Sequence, residues 1–276
     1  MKKTTTLLPE MILQMQYLKE KSPDYIGRQM MGYDPGKQYN LFQLLQKADE
    51  GDLEAMEDVV MVLAVEGYLE DDPEGEIAER RISYLRRLAE AGRASACIML
   101  GDTYIYGTGT SVDPEEAIKW FALAAEKGIP FGNECIGMIY YEGKGIPADY
   151  EKAYAYFTKD SCKKSFCTRY ALGEMYRQGL YVAQSDEKAC EFYSSIVNDR
   201  MNGAELDDYY WRACFRLGSA CHYGRGAEKN YAFALKLLSK AKTLYGSRSE
   251  NAMDCDITKE EFDREWLLLN QDAGNY

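Results

Sequence analysis

Cysteine, histidine and acidic side chains are the groups in this sequence that are capable of chemistry. Cys221 and His222 form an adjacent nucleophile and base, and His222 is the only histidine in the chain. Adjacent residues of a helix point about 100° apart, so the imidazole would not face the thiol in the helix that we predict here. We therefore expect no nucleophilic catalysis from this pair.

Phosphate and metal chemistry are the next candidates. The glycine turn at 143–145 lacks the GxxxxGK[ST] spacing and the preceding strand of a nucleotide-binding loop, so we interpret it as a helix terminus. The cysteines lack the paired CxxC spacing of zinc sites, and among 45 acidic residues no pair stands out. The sequence predicts no catalytic residue, no metal site and no cofactor, and we expect a protein that is not an enzyme.

The elements that carry these residues are copies of one helical hairpin. Four glycines, each preceded by Leu or Ile, are spaced by 36, 36 and 45 residues: Gly101, Gly137, Gly173 and Gly218. A tyrosine follows three residues later in the first three copies, and Cys221 takes its place in the fourth. A glycine follows six residues after each anchor, and an alanine sixteen residues after it. A fixed period of this length is typical of an array in which each unit buries its apolar face against its neighbours.

The turns within the copies have consistent chemistry. Gly107 and Gly109 are suited to the left-handed conformations that end a helix and reverse the chain, and Tyr181 stands where the second glycine would be expected in a later copy. Residues that favour the N-cap position lie twelve residues after each anchor, at Asp113, Asp149, Ser185 and Asn230. Each copy therefore predicts a helix, a glycine turn and a second capped helix.

The pattern LGxxYxxGxG, followed by Ala117, the pair Trp120-Phe121 and Ala124-Ala125, resembles the Sel1-like repeat, a relative of the tetratricopeptide repeat. The resemblance covers residues 94–163 and 166–245, and a degenerate copy from about 52 to 92 has Val65 at the anchor position. It implies an all-α, right-handed superhelix of helical hairpins with helical caps. It also implies binding of another protein, by analogy with the fold alone.

We predict three segments: an N-terminal helical cap at 1–51, a repeat array of about five units at 52–245, and a C-terminal capping helix and tail at 246–276. In the last segment Thr258 and Glu261 form a capping box, and Phe262, Trp266 and the leucines at 267–269 would seal the final repeat.

Composition restricts the partners and the compartment. The net charge of -12 disfavours nucleic acid. Pro9 and Glu10 interrupt the N-terminal apolar run, and no stretch is apolar enough to span a membrane, so we expect a soluble, cytoplasmic protein. The eight cysteines have no pairing that repeats with the units, and we predict mostly buried, reduced thiols. Whether Cys162 and Cys167 pair is left open.

In the tetratricopeptide family, the face of the first helix opposite the packing face lines a concave groove. Carried over position by position, the resemblance implies a tyrosine-rich groove that is acidic towards its N-terminal half, with ten candidate partner-binding residues: Tyr106, Glu134, Met138, Tyr141, Glu142, Tyr170, Glu174, Arg177, Phe215 and Tyr223. Such a groove would favour a basic or amphipathic segment of a partner protein.

Three alternatives stay open. The tyrosines could pack against the neighbouring repeat while the acids only solvate the surface. The protein could be an immunity or inhibitor protein that neutralises a toxin or enzyme. It could also be a hydrolase resembling the cysteine-rich Sel1-like proteins, although the regular cysteine pairs of those proteins are missing here.

Overall fold

The computed structural model describes residues 41–63, 75–199, 208–246 and 257–273. The chain divides into two compact units, 1–132 and 133–276, which we treat separately. The part of the chain that the structure describes contains twelve α-helices, one 3-10 helix and no strand. Residues 1–40 of the predicted N-terminal cap, the anchor position Val65 and most of the insertion near residue 200 lie outside the described residues.

The first unit is built from helices α1 to α5, each ending at a short turn. Their bounds are Leu41–Glu50, Leu53–Leu63, Glu76–Glu90, Ala94–Tyr106 and Pro114–Glu126. Successive helices pack against each other, and the most extensive contact joins α4 to α5. This pair is the hairpin that the sequence predicts.

The second unit starts in α6 and continues through α12. The bounds of α6 to α12 are Phe131–Glu142, Tyr150–Phe157, Phe166–Gln178, Asp186–Val197, Asp208–Tyr223, Tyr231–Gly246 and Lys259–Ala273, with the 3-10 helix at Asp160–Cys162. Helices α8 and α9 form one hairpin and α10 and α11 form another, while α12 packs on both α10 and α11.

The anchor glycines allow the two helices of each hairpin to approach closely. A Cβ on Gly101 would lie 2.5 Å from the Phe121 ring, and a Cβ on Gly137 would lie 2.5 Å from the Phe157 ring. The residue twenty positions after the anchor makes this contact in the later hairpins too, with Tyr193 opposite Gly173 and Leu238 opposite Gly218. The repeat thus requires glycine at the anchor position for a steric reason, because any side chain there would separate the two helices.

The predicted turn chemistry is confirmed. Four side chains accept a hydrogen bond from the backbone N–H three residues later, at 2.9 to 3.2 Å: Asp113, Asp149, Ser185 and Asn230. The N–H of each cap donates to the carbonyl of the residue three positions after the anchor, at 2.9 Å in all four copies. Gly107 and Gly109 have positive φ, and Tyr181 adopts φ 64° in place of a glycine.

The C-terminal helix α12 is held by fewer apolar residues than the sequence predicts. The Thr258 hydroxyl caps it by accepting from the Glu261 N–H at 3.1 Å, and Phe262 and Leu269 are buried. Leu267 and Leu268 are exposed, so the prediction that they seal the last repeat is wrong.

None of the helices in the described ranges combines the length and the apolar character required to span a lipid bilayer.

Candidate functional site

The candidate partner-binding residues are distributed over both units. Tyr106 ends α4 in the first unit, where 64% of it is exposed. The other nine lie in the second unit, on helices α6, α8 and α10.

Glu134 and Glu142 form an acidic patch in the second unit together with Cys167 and Tyr209. Glu142 is exposed and Glu134 is half-buried. Burial raises the pKa of the Cys167 thiol, and the charges of Glu134 and Glu142 raise it further. The negative charges of both carboxylates are therefore felt at the first turn of α8, where Cys167 lies.

Met138 and Tyr141 contribute to packing within the second unit. Both are partly buried against the cluster that contains Phe157. The Tyr141 ring makes edge contacts with Tyr150 at 6.0 Å and with Phe157 at 6.1 Å between centroids. Their contribution to a binding surface is confined to the part of each side chain that remains exposed.

Tyr170 and Phe215 are buried, although the helix periodicity places them on the face carried over from the tetratricopeptide family. The Tyr170 ring lies 5.6 Å from that of Tyr209 on α10, and Phe215 stacks on Phe262 of α12 at 5.1 Å. Helix α10, the first helix of the next repeat, covers Tyr170, and the C-terminal helix α12 covers Phe215. A partner has no access to them in this conformation.

Glu174 is the centre of a buried ionic network. Only 2% of it is exposed. Its carboxylate accepts hydrogen bonds from Arg177 on the same helix, from Arg216 Nε on α10 at 3.0 Å, and from the Tyr193 hydroxyl at 2.6 Å. Burial alone would raise the pKa of Glu174, but the hydrogen bonds from Arg177 and the charge of Arg216 outweigh it and hold this pKa below its ordinary value.

A cavity of about 320 Å³ opens beside this network, and we call it the arginine cavity. Arg177 from α8, Arg216 from α10 and Arg225 from the following turn line it, as do Tyr223 and Glu261. It is the place where two of the sequence-predicted residues, Arg177 and Tyr223, meet.

Tyr223 is fixed at this cavity by contacts on two sides. Its hydroxyl donates to Glu265 of α12 at 3.0 Å, and the Arg225 guanidinium lies 5.2 Å above its ring. Although held in this way, 39% of Tyr223 is exposed. It offers a rigid aromatic surface to a ligand.

Sequence reasoning did not assign Arg216, Arg225 or Glu261 to a binding surface, and all three line the arginine cavity. One signal was available, because Arg216 is a charged residue between Phe215 and Leu217 in a helix segment that is otherwise buried. A buried arginine needs a carboxylate partner, and Glu174 is that partner.

The cysteines and the histidine of this unit are engaged in structural roles. His222 is buried and lies between two carboxylates of α12, with Nδ1 2.9 Å from Glu265 and Nε2 3.0 Å from Asp272. Burial raises the pKa of the Cys190 thiol, which also lines the arginine cavity, to about 11. At neutral pH this thiol is protonated and weakly nucleophilic.

The seven cysteines within the described residues are free thiols, Cys162 and Cys167 among them. In the same residues, no group of three or more His, Cys, Asp or Glu side chains is arranged to hold a metal ion.

Comparison with known families and structures identifies the repeat. The family model described as Sel1 repeat matches residues 94–129, 136–159, 169–196 and 211–244, so the degenerate copy predicted at 52–92 lies outside the match. Among curated proteins, none matches this chain.

Two solved structures share the fold. A Sel1 repeat protein from Oxalobacter formigenes is 28% identical with a TM-score of 0.52, and the alignment covers 77% of this chain and 63% of that one. The protective antigen c5321 of uropathogenic Escherichia coli, which displays an SLR fold, is 23% identical with a TM-score of 0.53 over 85% of this chain and 57% of that one. This chain thus spans about three fifths of the length of these relatives.

The all-helical repeat fold expected from the sequence is confirmed by the helices and by these matches. Sel1 repeats generally serve as protein–protein interaction modules. The chain is a Sel1 repeat protein, with four matched repeats between residues 94 and 244.

Proposed function

We propose that this protein is a non-catalytic adaptor or scaffold whose second unit binds an amphipathic segment of a partner protein. One observation carries the proposal. Arg177 and Tyr223, which both belong to the binding surface that the resemblance implies, line the same cavity. Tyrosine and arginine are enriched among the residues that anchor protein interfaces.

The acidic patch gives the segment its second contact. Cys167 and Arg177 lie ten residues apart on α8, which places the patch and the arginine cavity about 15 Å apart along that helix. A helical segment of about ten residues or an extended one of about five spans this distance. A lysine or arginine at one end of the segment would meet Glu134 and Glu142.

A non-catalytic role agrees with the state of the reactive groups. The Cys190 thiol is protonated at neutral pH, and His222 is occupied by Glu265 and Asp272. The seven free thiols are typical of a reducing compartment, so we also propose the cytoplasm as the location.

A selection of random twelve-residue peptides displayed on phage tests this function. We expect the intact chain to select peptides that contain a basic residue and an apolar face. Binding of a selected peptide, measured by fluorescence anisotropy, should weaken roughly five- to tenfold in Glu142→Lys, because a repulsive charge replaces an attractive one. It should also weaken as salt rises from about 0.05 to 0.3 M.

Glu191→Lys is the matched control, since Glu191 is an exposed acid of α9 outside both the patch and the cavity. Equal losses in the two variants would show that net charge alone governs binding. Selected peptides that bind Glu142→Lys and Tyr223→Ala as tightly as the intact chain would exclude this surface as the binding site.

A further inference from the structure

The arginine cavity concentrates guanidinium groups in an acidic molecule. The chain carries a net charge of -12, yet three arginines line this one cavity, with Asp186 and Glu261 in the lining and the buried Glu174 behind it. Guanidinium groups gathered around one space are suited to bind an anionic group.

The buried carboxylate of Glu174 holds two of the arginines from behind. Arg177 donates to it through Nε and Nη2, and Arg216 donates through Nε. A guanidinium has five N–H donors in a rigid fork. The Nη1 group of Arg177 makes neither of these bonds, and Arg177 lines the cavity.

Arg225 completes the set. Its guanidinium lies over the Tyr223 ring, and among the described residues no carboxylate forms an ion pair with it. Ser219 and Gln184 add neutral hydrogen-bonding groups to the lining. The cavity therefore presents several donors, and Arg225 is the arginine of the three that forms no ion pair with a described residue.

The protein itself shows what kind of group fits there. The Glu261 side chain, 42% exposed, extends from α12 and pairs with Arg216 Nη1 at 2.7 Å. This is a carboxylate at the edge of the cavity, bound to one of its arginines. A second carboxylate would meet Arg177 and Arg225 with the same chemistry.

We infer that the arginine cavity is a carboxylate-binding site that receives one glutamate or aspartate side chain of the partner segment, an inference that rests on the proposed adaptor function. The volume of about 320 Å³ is large enough to admit such a side chain. Asp186 and Glu261 would repel a dianionic phosphate more strongly than a singly charged carboxylate.

This site gives the partner segment a direction. Its basic residue lies at the start of α8, near Cys167, and its acidic residue lies at the end, near Arg177. A segment with the two charges exchanged would place like charges together at both ends.

The test uses the intact chain and two blocked tripeptides, N-acetyl-Ala-Glu-Ala-amide and its neutral isostere N-acetyl-Ala-Gln-Ala-amide. Amide chemical shifts of the labelled protein are followed during titration. We expect the Glu tripeptide to produce saturable shifts at Ser219, Arg225 and Gln184 in the millimolar range, and the Gln tripeptide to produce none.

Two variants should move the affinity in opposite directions. Arg225→Gln removes a donor and a positive charge, and should weaken binding at least fivefold. Glu261→Gln removes the competing carboxylate but retains a residue that suits the capping position, and should strengthen binding about threefold. Arg264→Gln, an exposed arginine of α12 outside the lining, is the matched control and should leave the affinity unchanged.

Three results would overturn the assignment: equal binding of the Glu and Gln tripeptides, unchanged affinity in Arg225→Gln, or tighter binding of the corresponding phosphoserine tripeptide. The tripeptide requires no partner, so its outcome is separate from that of the phage selection. If the phage selection fails but the Glu tripeptide binds, only the adaptor function is overturned. If the tripeptide titration fails, only the carboxylate site is overturned.

Discussion

Glu174 shows how one buried side chain stabilises the fold and also orients a surface. It is inaccessible to a partner, yet it sets the position of Arg177 and Arg216, which line the arginine cavity. Removal of one member of a buried ionic network leaves the others uncompensated, which costs more free energy than the intact network contributes. Glu174 therefore contributes to the arginine cavity indirectly, by holding two of the arginines that line it.

Glu174→Gln should lower the free energy of unfolding at neutral pH by about 2–4 kcal/mol, measured by urea titration. The pKa of Glu174 lies below its ordinary value of 4.5, so the folded state binds this proton more weakly than the unfolded chain. The carboxylate thus stabilises the fold above that value and loses its effect as the pH falls through the lower folded-state pKa. The stability difference between the intact chain and the variant should narrow as the pH falls below 4.5, and a constant difference would contradict this.

The anchor glycines are predicted to differ in sensitivity. Gly173→Ala places a Cβ 2.6 Å from the Tyr193 ring, whose hydroxyl is already held by Glu174, so the ring has little freedom to move. Gly218→Ala meets Leu238 at 2.9 Å, and an aliphatic side chain repacks more readily. We expect losses of roughly 2–3 kcal/mol for the first and 1–2 kcal/mol for the second by thermal unfolding. Equal losses would show that Tyr193 is not held rigidly.

At the scale of elements, α12 depends on polar contacts as much as on apolar burial. His222 bonds two of its carboxylates, and Tyr223 bonds one of them. The histidine thus joins α10 to the C-terminal helix.

His222→Leu should loosen α12 locally. It removes both hydrogen bonds and leaves the mostly buried Glu265 with one fewer partner, at a cost of about 1–3 kcal/mol. Hydrogen exchange measured by mass spectrometry should accelerate in α12 and remain unchanged in α4 and α5. Asp272→Asn, at a half-exposed position, is the control and should have a much smaller effect. Unaltered exchange in α12 would show that apolar contacts alone hold the helix.

How well these elements can be predicted depends on how far apart in the sequence the contacting residues lie. Caps, glycine turns and the helix pair of each hairpin arise within about twenty residues of one anchor, and the sequence shows them directly. Exposure of the first-helix face depends instead on the next repeat. Tyr170 is covered by Tyr209, which follows an insertion, and Phe215 is covered by Phe262. Helical periodicity assigns a face to a residue but does not reveal what covers that face.

At the scale of the whole molecule, stability should be distributed along the chain. In repeat arrays each unit gains its stability from its immediate neighbours. The second compact unit contains the acidic patch, the arginine cavity and α12.

A chain that begins at Gly128 should therefore fold without the first unit. We expect a helical circular dichroism spectrum, a cooperative thermal transition, and affinity for the Glu tripeptide within about threefold of that of the intact chain. A separately purified first unit should show no such binding. An unfolded second unit would contradict the assumption that neighbouring contacts suffice.

The same set of contacts recurs in the four hairpins that have an anchor glycine: the glycine against the side chain twenty positions later, and a capping N–H donated to the carbonyl three positions after the anchor. Each of these contacts begins and ends inside one hairpin. Duplication or loss of a whole repeat in the gene would preserve all of them, so chain length can change by whole units during evolution while every turn remains intact.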